Sequence, residues 1–160
     1  MTAPVVVVGL GNEHRRDDGV GPAVAAALGA LGLPDVAVVT GIADPLALLE
    51  AWSGAGLAIV IDAAVATPPA HGRVRRCTLA DLTAARVGLS SHSVDVAQTH
   101  RLGEALGRLP DDLVVLAVEA ADTGHGAGLT PPVARAVPEA VRLAREEIDA
   151  ALGGRRKTGN

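Results

Sequence analysis

Three side chains, far apart in the chain, are of types that hold a divalent cation or move protons: Asp18 with Asp17 beside it in the first loop, Asp62 at the end of an apolar run, and His92 ahead of a later helical pattern. Two carboxylates and one imidazole suit a borderline cation such as nickel, zinc, cobalt or manganese, and leave positions open for water or a substrate. A cation held in this way polarises a peptide carbonyl or acidifies a bound water. Each residue also has a plain structural role. Asp17 or Asp18 can cap the helix that follows. Asp62 can accept from amides of the next loop, and His92 can bond local backbone. By residue type alone, both sets of roles stand.

The elements that would position them alternate along the chain. Val5 to Val8 reads as a strand covered on both faces, and Gly9-Leu10-Gly11-Asn12 permits a tight turn behind it. A dinucleotide fingerprint would need a third glycine where His14 stands, and no phosphate-loop lysine follows. An acidic turn invites a cation or a peptide sooner than a pyrophosphate. The pattern predicts a helix over Asp18 to Leu31 and a strand over Val36 to Thr40. A short helix capped by Asp44 follows, then a central strand from Leu57 to Asp62. Val74 to Leu79, with Arg75, Arg76 and Cys77, suits an exposed edge strand. Ser90 or Ser91 can cap a long helix to about Leu109. Leu113 to Glu119 is a fifth strand, and Pro132 to Leu152 is a last helix, kinked or restarted near Pro138.

This alternation predicts a single α/β domain over residues 1–152, with a doubly wound, mainly parallel five-stranded sheet covered by helices on both faces. Residues 153–160 are expected to be a disordered tail. Ligands of such sheets lie outside the carboxyl ends of the strands, where Asp17, Asp18, Asp62 and His92 converge.

Composition narrows the function further. With 160 residues and a net charge of -4, the chain has no basic footprint for nucleic acid. Trp52 is the only aromatic residue, which removes stacking platforms for bases or sugars. The lone Cys77 excludes an internal disulfide framework and any thiolate cluster made by one chain, and is expected to be a small buried hydrophobe. His14, His71, His100 and His125 are expected to be solvated, as are Arg15 and Arg16. No signal peptide or membrane span is evident, so a cytoplasmic protein with no membrane partner is expected.

The ordered set Gly9-Leu10-Gly11-Asn12, Asp17-Asp18-Gly19-Val20-Gly21, Ile61-Asp62-Ala63, Ser91-His92, and Glu119 with Gly128-Leu129-Thr130-Pro131 resembles the hydrogenase maturation endopeptidase family over Val5 to Leu152. The resemblance implies a doubly wound α/β fold. It also implies an aspartyl-type endopeptidase that removes a C-terminal extension from the nickel–iron hydrogenase large-subunit precursor after nickel insertion. By resemblance, Asp18, Asp62 and His92 meet nickel and carry catalysis, and the nickel arrives with the substrate; Asp17 is then left as the helix cap. Asp18 replaces a glutamate found in some members, so it keeps the charge with a shorter reach. Backbone at Gly9, Gly11, Asn12, Gly19 and Gly21 would approach the peptide. No organic cofactor is implied, and the protein is expected to act as a monomer. A metal-dependent peptidase or amidase on other substrates, or a non-enzymatic metalloprotein escort, would use the same residues.

Overall fold

The valine run forms β1 (Val5–Gly9), every residue of it buried, in a computed structural model that describes residues 4–83, 88–89 and 94–158. Parallel neighbours pair with it on both sides, β2 (Val36–Val39) and β3 (Leu57–Val65), in the registers Val5↔Val36 and Val5↔Leu57. β6 (Asp112–Glu119) lies parallel to β3, and β4 (Val74–Cys77) closes the edge antiparallel to β6. The order is β2-β1-β3-β6-β4, and a two-residue β5 (Gly88–Leu89) pairs antiparallel with the far end of β3. The doubly wound, mainly parallel sheet is as expected, with six strands instead of five. A two-residue strand has no periodicity to read.

Side chains of alternate residues sort the core into two halves. Val5, Val7, Ile59, Ile61 and Leu116 meet α1 (Val20–Ala30) and α5 (Pro131–Thr158) on one face. Val6, Val8, Ala58, Val60 and Val115 meet α2 (Pro45–Trp52) and α4 (Val96–Leu106) on the other, with Leu82 of α3 (Leu79–Thr83) packed alongside. Trp52 is fully buried in the second half, where its Nε1–H donates to the Arg108 carbonyl at 3.2 Å. His100 is half-buried, with its ring edge-on to Trp52 at 6.4 Å between centroids, and is not simply solvated.

Several boundaries differ from expectation. The first helix begins as a 3-10 turn, Arg16–Gly19, before α1. β3 continues past Asp62 to Val65, because Ala63, Ala64 and Val65 still find partners in β6 and β5. α4 is shorter than expected: Asp95 caps it by accepting from Gln98 N–H at 2.9 Å, and Gly107 in the left-handed region ends it. Ser90 and Ser91, the expected caps, lie outside the described residues. Asp44 does cap α2, accepting from Ala47 N–H at 2.9 Å. α5 carries Pro138 within it without being divided, and runs to Thr158, through most of the segment expected to be disordered. Among the described residues, no helix is long and apolar enough to cross a membrane.

Cys77 lies buried on β4, as expected of a small hydrophobe. Burial pushes its thiol up and Asp81 adds to the shift, against a smaller opposing effect of Arg75. Since the thiolate is the nucleophile, iodoacetamide is expected to alkylate native Cys77 about tenfold more slowly than the urea-unfolded chain. Mass spectrometry of timed samples measures this; equal rates would contradict it.

Candidate functional site

Two loops meet at the carboxyl edge of the parallel strands. The first, between β1 and α1, turns at Gly11, whose φ of 129° belongs to glycine, and a Cβ there would overlap the Asp18 carbonyl oxygen. Gly21 packs the start of α1 against β1 and β3 so closely that a Cβ would overlap the carbonyl oxygens of Leu10 and Ile61. Gly9 and Gly19 are buried as well. These glycines therefore let the chain approach itself, which draws the 3-10 turn over the end of β3. Gly11 and the exposed Asn12 form the outer part of the turn.

The second loop, between β6 and α5, is stitched to the first. Arg15 bridges Gly126 in parallel fashion. Arg16 N–H donates to the Gly126 carbonyl at 3.0 Å, Gly126 N–H to the His14 carbonyl at 3.0 Å, and Asp17 N–H to the Asp122 carbonyl at 2.9 Å. Asp17 is central to this seam. Its carboxylate accepts from the amides of Ala121 at 2.8 Å, Asp122 at 2.9 Å and Thr130 at 2.7 Å, and from the Thr130 hydroxyl. The expected cap role is thus corrected: neither the 3-10 turn nor α1 receives a side-chain cap bond, and Asp17 ties two distant loops together. Arg15 and Arg16 are likewise engaged, through Arg15 Nε to the Thr123 carbonyl at 3.2 Å and Arg16 Nε to Asp122 Oδ2 at 3.5 Å.

With the seam closed, Asp18 is buried, and its Oδ2 accepts from Asn12 N–H at 2.9 Å. Asp62 is 0% exposed, and its Oδ1 accepts from Ala63 N–H at 2.8 Å. Leu10, next after the Gly9↔Ile61 pair, donates to the Ile61 carbonyl at 2.9 Å, which seats the first loop directly beside Asp62. By strand alternation Asp62 shares a face with Val60 and Ala64, and both pack in the cluster that contains Val94 and Val96. His92, the third expected ligand, lies outside the described residues. Among the described residues, no group of three or more His, Cys, Asp or Glu is placed to hold a metal ion. Asp18 and Asp62 are the two expected ligands that the described structure contains.

Two charged residues of this face were not expected to take part. Register places Arg75, Ala117 and Asp62 in one row across β4, β6 and β3, and Glu119 in the next row, opposite Ala64. Glu119 is an acid ending an apolar strand, the same signal that singled out Asp62. Arg75 carried no such signal, because alternation on a short polar edge strand does not say which face is covered.

The α/β sheet of this chain superposes on hydrogenase-maturating endopeptidases of known structure. [NiFe] hydrogenase maturation protease HybD from Thermococcus kodakarensis superposes with a TM-score of 0.72 at 22% identity, covering 91% of this chain and 98% of that one. The hydrogenase maturating endopeptidase HybD from E. coli gives 0.75 at 24% identity, with 99% and 94% covered. An endopeptidase from Escherichia coli, solved in solution, gives 0.74 at 25% identity with the same coverage. No curated protein sequence matches significantly. The family model for HycI, hydrogenase maturation protease, matches residues 22–147, and the chain belongs to the hydrogenase maturation protease family. That match starts just beyond the first loop and spans Asp62, His92 and Glu119.

Proposed function

We propose that this protein, acting as a cytoplasmic monomer, removes the C-terminal extension of the nickel–iron hydrogenase large-subunit precursor after nickel insertion, and that the nickel of the loaded precursor is its recognition element. The observation that carries this reading is the pair of buried carboxylates, Asp18 and Asp62, held at the carboxyl edge of β1 and β3 by a seam of loop contacts. Together with His92 they form an open set of two hard oxygen donors and one imidazole, which suits nickel and has no thiolate to bind it tightly. Weak intrinsic affinity makes the metal a checkpoint: the site is complete when the substrate brings its own. Peptide hydrolysis needs a water deprotonated as it attacks and a proton delivered to the leaving nitrogen. Asp18, Asp62 and His92 are the groups at hand for these transfers in a chain without tyrosine. Gly9, Gly11, Asn12, Gly19 and Gly21 shape the loop that presents Asp18, and its outer part at Gly11 and Asn12 faces the peptide.

Incubating the purified protein with nickel-loaded and nickel-free precursor and weighing the products tests the checkpoint. The extension is expected to leave the loaded form alone. Equal cleavage of both forms would sink nickel recognition. Association with no mass change would favour an escort, and metal-titrated cleavage of unrelated short peptides would favour a general metallopeptidase.

A further inference from the structure

Arg75 is a cation held without an acceptor on the sheet face that carries the acids. Its Nε is buried and meets no hydrogen-bond partner among the described residues, just as Glu119 Oε2 meets none. Burying a donor in this state is costly, and a guanidinium does not escape the cost by losing its proton. The neighbouring Arg76 is engaged elsewhere, by Glu147 of α5. Glu119 stands two residues along β6 from Ala117, the register partner of Arg75, yet among the described residues no ion pair joins it to Arg75. A polar side chain that its own fold leaves unsatisfied is the departure from consistency expected at a functional site.

Register gives this cation a target. Arg75 pairs with Ala117 and Ala117 with Asp62, so the two charged residues stand two strands apart, roughly 10 Å between Cα atoms. Cys77 and Ala117 are buried in the same half of the core as Val60 and Ala64, which fixes Arg75 and Asp62 on one face. Alanine between them leaves only a methyl for the long guanidinium stem to cross. Nε is covered while Arg75 as a whole is half-buried, which leaves the side chain an open end.

The acids decide what the missing acceptor is. A substrate carboxylate would meet Asp18, Asp62 and Glu119 as like charges before it met one guanidinium. A peptide carbonyl is neutral when it binds and becomes negative only as water adds to it, so it gains most from a fixed cation at the moment of reaction. We infer that Arg75 is a further catalytic residue, whose guanidinium donates to the oxygen of the scissile carbonyl and stabilises the oxyanion that forms there. The inference rests on the peptidase role proposed above. In that reaction the water oxygen bonds to the carbonyl carbon, one water proton passes to a site carboxylate, and the C=O electron pair moves onto oxygen. When that pair returns, the C–N bond breaks with its electrons on nitrogen, which takes the proton from the carboxylate. Arg75 keeps its own protons throughout.

Arg75→Met, which keeps an apolar stem, and Arg75→Ala are compared with the wild type on nickel-loaded precursor. Both are expected to lower kcat about a hundredfold and to leave KM within about twofold, as loss of a donor used only in the transition state requires. Guanidinium chloride at about 50 mM, far below the molar range that unfolds domains, is expected to speed Arg75→Ala at least about tenfold, and sodium chloride at the same ionic strength is not. A cation that merely supports the fold would show no such rescue. Thermal melts identify the folded variants. A folded Arg75→Met with wild-type kcat, a loss confined to KM, or no guanidinium rescue of Arg75→Ala overturns the role, and so does failure of both variants to fold. Each of these outcomes leaves the peptidase standing, because the wild type still cuts. A wild type that cuts no loaded precursor overturns the peptidase reading and this inference with it.

Discussion

Asp62→Asn is expected to fold normally and to process the nickel-loaded precursor about a thousandfold more slowly than the wild type. The fold survives because asparagine is isosteric and its oxygen can still accept from Ala63 N–H, the 2.8 Å bond that Asp62 Oδ1 makes now. What is lost is a negative charge in a fully buried place, and with it a cation ligand and a proton acceptor. The isosteric change keeps the Ala63 bond, so the melting temperature is expected to hold while activity collapses. Timed mass spectra of the precursor, beside a thermal melt of the variant, measure both. Normal processing by a folded Asp62→Asn protein removes Asp62 from the site.

The second large effect is on stability. Asp17→Ala is expected to cost about 3 kcal/mol, because amides of Ala121, Asp122 and Thr130 and the Thr130 hydroxyl lose a charged acceptor together. For a domain of this size that is a fall in melting temperature of roughly 6–12 °C. Burial by itself raises the Asp17 carboxyl, but the donors of Thr130, Asp122 and Ala121 outweigh it and hold the group below its ordinary value of 3.8. A depressed value in the folded state means that the unfolded chain takes up the proton first. The stabilisation is therefore in full force above the unfolded value and is lost as pH falls through the lower, folded one. The gap in melting temperature between wild type and Asp17→Ala should be wide near pH 7 and should close in strong acid. A gap independent of pH would mean that the charge is not what holds the seam. Processing should also slow in this variant, since the seam is what presents Asp18.

Part of this site was legible from local pattern. Asp62 stood out because an acid within a run as apolar as Leu57 to Ile61 must find donors or a cation, and the structure buries it completely. Asp17 was misread for the complementary reason. An acid before a helix has a local explanation, the cap, and its actual partner Thr130 lies 113 residues away. Glu119 shows the same limit: the sequence marked it as an acid at a strand end, but its orphaned oxygen follows from the loop at Ala70 folding over it.

The sequence by itself determined the elements and their class. Continuous apolar runs can be stable only as strands covered on both faces, and alternation with helices leaves a parallel, doubly wound sheet as the economical arrangement. It also marked Asp62 as a side chain that could do chemistry, since an acid closing the apolar run Leu57 to Ile61 must find donors or a cation. Tertiary structure alone decided which charged side chains meet. Register placed Arg75 and Glu119 on the face of Asp62, close backbone approach at Gly21 drew the first loop over β3, and the Asp17 seam joined two loops with no local signal for each other. Periodicity reports the environment of a residue along its own element. Pairing across a hundred residues is set by the packing of whole faces, which no local window contains.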